Sequence, residues 1–325
     1  MKNTLKNNIV EMDGDALRQY IDAKSVFTAL ESAHKTVKEV RGGMIWREQN
    51  GTDYLIRTST RSAQKSLGPR SEKTEEFYTD FIARKERSQE RVRDLRAEII
   101  RHQRMNKALR VGRAPDLLVE ILNKIEEVGL SGYFTVIGTY ALYAYEAAAG
   151  IRITSTDAMT TMDVDLLWDI RKRLGFTAQM DELDTTFLGL LKKVDRTFER
   201  RDSQLYTAVN SKGFEVDIVR RSARSEDPHP VRLTDNENEL FAIEAEKSGL
   251  LLDRPKMSEM IVSVTGRMAR MNTVAPDVFV KTKRWIATLD NRDALKRRRD
   301  LLQADLVDEI IREYLPHQSV AMNLK

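Results

Sequence analysis

Three carboxylates in this chain are spaced for shared work. In "TTMDVDLLWD" the two-residue period of a strand places Thr161, Asp163 and Asp165 on one face, and Met162, Val164 and Leu166 on the other, toward a core. Two carboxylates so placed can share a divalent ion. The same pattern also fits a half-exposed strand with an acidic outer face, in which solvent screens like charges two residues apart. A third acid bears on the choice. In "KGFEVDIVRR" the alternation returns, with Phe214, Val216 and Ile218 on one face and Glu215 and Asp217 on the other. A neighbouring strand would bring Asp217 beside Asp163 and Asp165. That completes a three-carboxylate cluster of the kind that holds two divalent ions roughly 3.5 to 4 Å apart.

The elements that must position these acids are legible around them. "YFTVIG" is rich in β-branched and aromatic residues and predicts a buried strand, and "TYALYAYEAAA" predicts a helix ending at Gly150. Gly138 therefore falls at a strand-to-helix turn. A glycine there lets a ligand approach the backbone, and the amides of Thr139 and Tyr140 would lie at the positive end of the helix dipole, an arrangement suited to phosphate. Glycine used only for tight packing gives the same local pattern. Upstream, Asp116 follows Pro115 and starts a helix through "LLVEILNKIEEVGL".

The N-terminal part has a different character. "DALRQYIDAKSVFTALESAHKTVKEV" carries apolar residues at helical spacing, and "RGGMIWREQNGTDYLIRTSTR" then turns β-rich around Asn50-Gly51, a hairpin signal. A long charged helix follows. From Arg84 to Arg113 there are eleven Lys or Arg against four Glu or Asp. This is either a solvated face or an electrostatic footprint for a polyanion.

Composition narrows the chemistry further. The chain has 325 residues, a net charge of +4 and no cysteine, which excludes disulfides, thiolate nucleophiles and cysteine-ligated zinc. Its four histidines, His34, His102, His229 and His317, are too scattered for a histidine metal site. Any ion would be held by carboxylates and would be hard, such as magnesium or manganese. No apolar run has the length of a membrane span, and "MKNTLKNNIVEMDGD" lacks a signal-peptide core, so no membrane partner and a cytoplasmic location are expected.

Ile137-Gly138-Thr139, then Asp163-Val164-Asp165, then Asp217 on a later strand resembles the DNA polymerase beta nucleotidyltransferase superfamily. "GTYALYAYEAAAG" with "TMDVDLLWD" is similar, more narrowly, to a bacterial branch described only as nucleotidyltransferase-fold proteins. "KSLGPRSEKTEEF" and "KTKRWIATLDNRDALKRRRDLLQADLV" extend the likeness over most of the chain after about Arg41. Thr139 stands where Ser or Gly is commoner, and the spacing from Gly138 to Asp163 is longer than in compact members, with a longer helix and a turn at "IRITSTDAMTT" to absorb it. The resemblance implies an α+β fold with a polymerase-beta-type core, a mixed sheet with flanking helices, over 116–225. An N-terminal helix, hairpin and basic helix would occupy 1–115, and a helical C-terminal domain 226–325. It also implies that Asp163, Asp165 and Asp217 bind magnesium (or manganese) and that a nucleoside monophosphate moves from a nucleoside triphosphate to an acceptor hydroxyl. Asp217 would complete the metal site or take the acceptor's proton, and Gly138 and Thr139 would hold phosphate.

Basic residues offer further nucleotide contacts. Between Val280 and Asp300 lie eight Lys or Arg and three Asp, a solvated face or a phosphate-binding one. Related enzymes place lysines of a C-terminal helical domain over the cleft, which assigns Lys283 and Lys296. Lys65 and Arg70 in "SLGPRS" form a second candidate phosphate loop. The basic runs favour RNA as acceptor, including the 3′ end of a transfer RNA. Aromatic residues, 7% of the chain, do not interleave with them as a stacking platform would. A protein hydroxyl as acceptor, and a non-catalytic module binding nucleotide or nucleic acid, are the alternatives. The resemblance makes a toxin, antitoxin or defence role plausible for either acceptor. Neither the base nor the oligomeric state is written in a local pattern.

Overall fold

The computed structural model describes residues 8–59, 63–223, 230–245 and 248–316, with the side chains of 248–250 left aside. His229, His317 and the expected boundary at Glu226 lie outside the described residues. The elements in chain order are β1 (Ile9–Glu11), α1 (Gly14–Glu39), β2 (Gly43–Gln49), β3 (Thr52–Thr58), β4 (Gln64–Pro69), α2 (Glu72–Ala108), α3 (Asp116–Glu127), β5 (Phe134–Ile137), α4 (Ala141–Ala149), β6 (Ile151–Ile153), α5 (Thr156–Met159), β7 (Asp163–Trp168), α6 (Arg173–Leu183) and α7 (Phe187–Val194). They continue with β8 (Glu199–Arg201), β9 (Gln204–Val209), β10 (Glu215–Arg221), β11 (Val231–Arg232), β12 (Phe241–Ala245), α8 (Ser248–Asp253), β13 (Lys256–Val262), β14 (Met268–Val274), α9 (Pro276–Ile286) and α10 (Ala294–Glu313). Two compact units divide the chain, Met1–Leu17 with Arg110–Lys325, and Arg18–Leu109.

In the Arg18–Leu109 unit the hairpin forms where Asn50-Gly51 predicts it. Both residues adopt positive φ, 53° and 76°, as a turn matched to the twist of paired strands requires. β4 adds a third antiparallel strand. Ser71 caps α2 through a reciprocal pair of hydrogen bonds with Thr74, which fixes where the 37-residue helix begins. Gln19 on α1 donates to Asn106 on α2 at 2.9 Å, both buried.

The larger unit is built on a nine-stranded mixed sheet. Its path is β11-β12-β10-β7-β5-β14-β13, with β9 on the edge of β10 and β8 on β9. Val164, Leu166 and Trp168 of β7 and Val216 and Ile218 of β10 pack under α3, α6 and α7. On the opposite face Leu167 and Val219 pack against α4, α9 and α10. The expected inserted turn after Gly150 contains β6, paired with β1, and the short α5. Among the described residues no helix is long and apolar enough to cross a membrane.

The expectation of a helical third region needs correction. Residues 231–274 contribute β11 to β14, and helices predominate only from Pro276. "KMSEMIV" and "ARMNTV" are rich in Met, with Glu and Ala among them, residues at ease in helices. Pairing along seven register positions between β13 and β14 imposes the strand instead. The segments 116–225 and 226–325 accordingly share one compact unit.

Candidate active site

Strand register makes the acidic cluster. β10 runs parallel to β7 with Asp217 opposite Asp165 and Glu215 opposite Asp163. Matched positions on neighbouring strands share a face, so Asp163, Asp165 and Asp217 each offer a carboxylate oxygen within 4.8 Å of the others. Among the described residues this is the one group of three or more His, Asp or Glu side chains so placed. Further along the same face come buried Leu167 and Val219, so the half-buried acids stand at the edge of the core.

Neighbouring hydroxyls orient two of the three acids. The Thr161 hydroxyl donates to Asp163. Thr207, fully buried and directly opposite Asp217 on antiparallel β9, donates to it at 2.6 Å. Glu215 shares the face, but Arg201 pairs with it and takes up its charge. Burial, with Asp163 and Asp217 adding to it, pushes the Asp165 carboxyl up to about 7 against the opposing pull of Lys283 and Arg292. Burial also raises Asp217, while the Thr207 hydrogen bond lowers it. Three hard oxygen donors held close, with no cationic side chain bonded to them among the described residues, suit magnesium or manganese.

Gly138 is fixed by the same acid. Its φ is +73°, and a Cβ there would stand 2.3 Å from Asp165 Oδ2. Only a bare backbone lets the carboxylate lie against the turn. α4 then begins at Ala141 with no side-chain cap from Tyr140, and its first amides, those of Ala141, Leu142 and Tyr143, donate back to the carbonyls of Gly138, Thr139 and Tyr140. The Tyr140 hydroxyl donates to the Thr161 carbonyl at 3.3 Å and its ring stacks on Phe214, joining the turn to the starts of both acidic strands. Thr139 is buried, and its hydroxyl accepts from Gln303 of α10 at 3.0 Å.

A cavity of about 480 Å³ borders Gly138 and Asp165. Its lining is largely apolar, with Val278, Trp285 and Ile286 of α9 among it, and Arg254, Lys281, Lys283 and Arg292 supply positive charge beside Asp277. Lys283 is buried and donates to Asp300 at 2.7 Å. Burial lowers its pKa, and Asp300 opposes that shift. Lys296 is exposed in the first turn of α10 and does not line this cavity. Lys65 and Arg70 belong to the other unit. There "SLGPRS" forms the end of β4 and the cap of α2, with Arg70 bonded to Asp53 at 3.1 Å and Glu75 at 2.8 Å.

Three residues of this neighbourhood escaped the sequence reading. Thr207 had a signal, since "QLYTAV" faces "FEVDIV" across a short turn and a hairpin sets Thr207 against Asp217. Asp300 and Arg292 had none, because their meeting with Lys283 depends on how α9 and α10 pack. Of the basic run 84–113, Arg113 serves structure: it pairs with buried Glu146 and donates to the Ile153 carbonyl.

An acid triad on a mixed sheet beside a glycine turn fits nucleotidyl transfer. The chain belongs to a nucleotidyltransferase family, whose model matches residues 116–325. That span begins at α3 and leaves the β2–β4 sheet and α2 outside it. No curated protein and no solved structure matches the chain.

Proposed function

We propose that this chain transfers a nucleoside monophosphate from a nucleoside triphosphate to a hydroxyl of RNA. The observation that carries the proposal is the pairing of Asp163, Asp165 and Asp217 into one carboxylate cluster against Gly138 and beside a largely apolar cavity. Asp163, Asp165 and Asp217 would hold magnesium or manganese, which when bound neutralises charge on the phosphates and makes the acceptor hydroxyl more acidic. Gly138 borders the cavity, and the Gly138-Thr139 turn before α4 would offer its backbone amides to the phosphates. The apolar wall around Trp285 receives the nucleoside.

In the reaction the acceptor oxygen bonds the α-phosphorus. The bond from that phosphorus to the bridging oxygen breaks, and pyrophosphate leaves. Asp217, whose proton affinity is raised by burial, would take the acceptor's proton. For the acceptor, the support is electrostatic: α2 displays exposed arginines, of which Arg93 and Arg101 pair among the described residues with carboxylates of the same helix.

The test supplies each α-labelled ribonucleotide with magnesium and offers total RNA and total protein, beside a D163A/D165A double variant. Label entering RNA only with the native acids supports the proposal. Label entering protein alone replaces RNA with a protein hydroxyl, and nucleotide binding without label in either makes the chain a binding module.

A further inference from the structure

We infer that Asp300 is a positioning residue for the substrate: it holds Lys283 and Arg292 together in the cavity wall as a two-cation receptor for polyphosphate. The inference rests on reading that cavity as the seat of a nucleoside triphosphate. Asp300 is fully buried and divides its two oxygens between the cations. Oδ1 accepts from Lys283 Nζ at 2.7 Å, and Oδ2 accepts from Arg292 Nε at 2.8 Å and from its Nη2 at 2.7 Å.

Charge and geometry both point beyond a staple between helices. One carboxylate balances one cation, so the second positive charge is surplus within the group. Both cations line the cavity that Asp165 also lines, whereas Asp300 is absent from that lining. The group therefore brings a net positive charge into the cavity that Asp165 shares. Its members come from three places in the chain: Lys283 from α9, Arg292 from the turn after it, and Asp300 from α10. A lysine ammonium is a mobile point charge on a flexible stem, and a buried one tends to lose its proton. Asp300 opposes both, countering the pull of burial on the Lys283 proton and gripping Arg292 through Nε and Nη2, with Arg292 Nη1 unbonded among the described residues. A polyphosphate chain spanning Gly138 and this pair would meet backbone donors at one end and two fixed cations at the other.

The test measures binding of magnesium tripolyphosphate by calorimetry to the native chain, R292Q and D300N, and of Mn²⁺ alone to the same three. Tripolyphosphate affinity is expected to fall at least about tenfold in both variants, while Mn²⁺ affinity at the acid cluster stays near native. A staple without a substrate role predicts no such split: D300N would lose both together or neither. R292Q retains the Lys283–Asp300 pair and answers even where D300N does not fold. Native tripolyphosphate binding by R292Q overturns the inference, as does a native chain that binds none. Tripolyphosphate binding that depends on Asp300, in a chain that labels no acceptor, would sink the transfer reading and leave the two-cation receptor standing.

Discussion

Asp165 is half-buried and Asp300 fully buried, and the fold treats the two in opposite ways. Asp300 is bonded by two cations and has no acid bonded beside it. Asp165 has two acids beside it, Lys283 and Arg292 acting only through space, and a carboxyl pushed up to about 7. Balanced, a buried carboxylate locks helices together. Unbalanced, it is carried at a cost to stability, which is the usual mark of a site built for a ligand that supplies the missing charge.

Activity should depend on Asp165 far more than on Asp300. Asp165→Ala is expected to lower nucleotidyl transfer by about a thousandfold or more, since the acid cluster is lost with it; native rates in this variant would remove Asp165 from the chemistry. Asp300→Asn, in contrast, should act first on stability. Buried Lys283 and half-buried Arg292 lose their counter-ion, and urea unfolding should report a loss of about 3–5 kcal/mol. A change too small to resolve would mean that the pair is hydrated and that Asp300 does not lock the helices.

Gly138→Ala comes next. The new methyl would collide with Asp165 Oδ2 in a backbone conformation that side chains rarely adopt, so transfer should fall by about a hundredfold with a loss of about 1–2 kcal/mol in stability. Retained activity would show that Asp165 moves freely from the turn.

Asp165→Asn sharpens the comparison from the other side. The folded Asp165 carboxyl titrates near 7 against an ordinary value of 3.8. Because it is raised, its contribution is full below about pH 4 and is lost as pH climbs through about 7. In metal-free buffer the Asn variant should therefore melt higher than the native chain at pH 8, by about 2–4 °C for a gain of about 1 kcal/mol, and should match it more closely near pH 5. Magnesium displaces the proton, so its stabilisation of the native chain should grow across the same window and vanish in the variant. Equal melting curves at pH 8 would mean that Asp165 is already compensated.

What could be read from the sequence follows from the range of the interactions involved. Asp163, Asp165 and Asp217 were legible because strand alternation is local and one register shift decides their meeting. Gly138 was legible as a turn, though its contact with Asp165 was not. The Asn50-Gly51 hairpin and the helix closing at Gly150, whose φ is +66°, followed from backbone conformations that few residues adopt. β13 and β14 were hidden because Met-rich runs state no strong preference and long-range pairing chose for them. The Lys283, Arg292 and Asp300 group was hidden for a similar reason: its three members lie in a strongly charged stretch in which no period marks those that turn inward. Arg284 from the same stretch faces Asp305 and Asp308 at the surface.

The most direct test is a titration of Mn²⁺ into the metal-free chain followed by electron paramagnetic resonance, beside Asp165→Asn and Asp300→Asn. Saturable binding by the native chain and by Asp300→Asn, weakened at least about tenfold in Asp165→Asn, is the predicted result. Equal binding by all three, or none by the native chain, would contradict the assignment of Asp163, Asp165 and Asp217 as the seat of the catalytic ion.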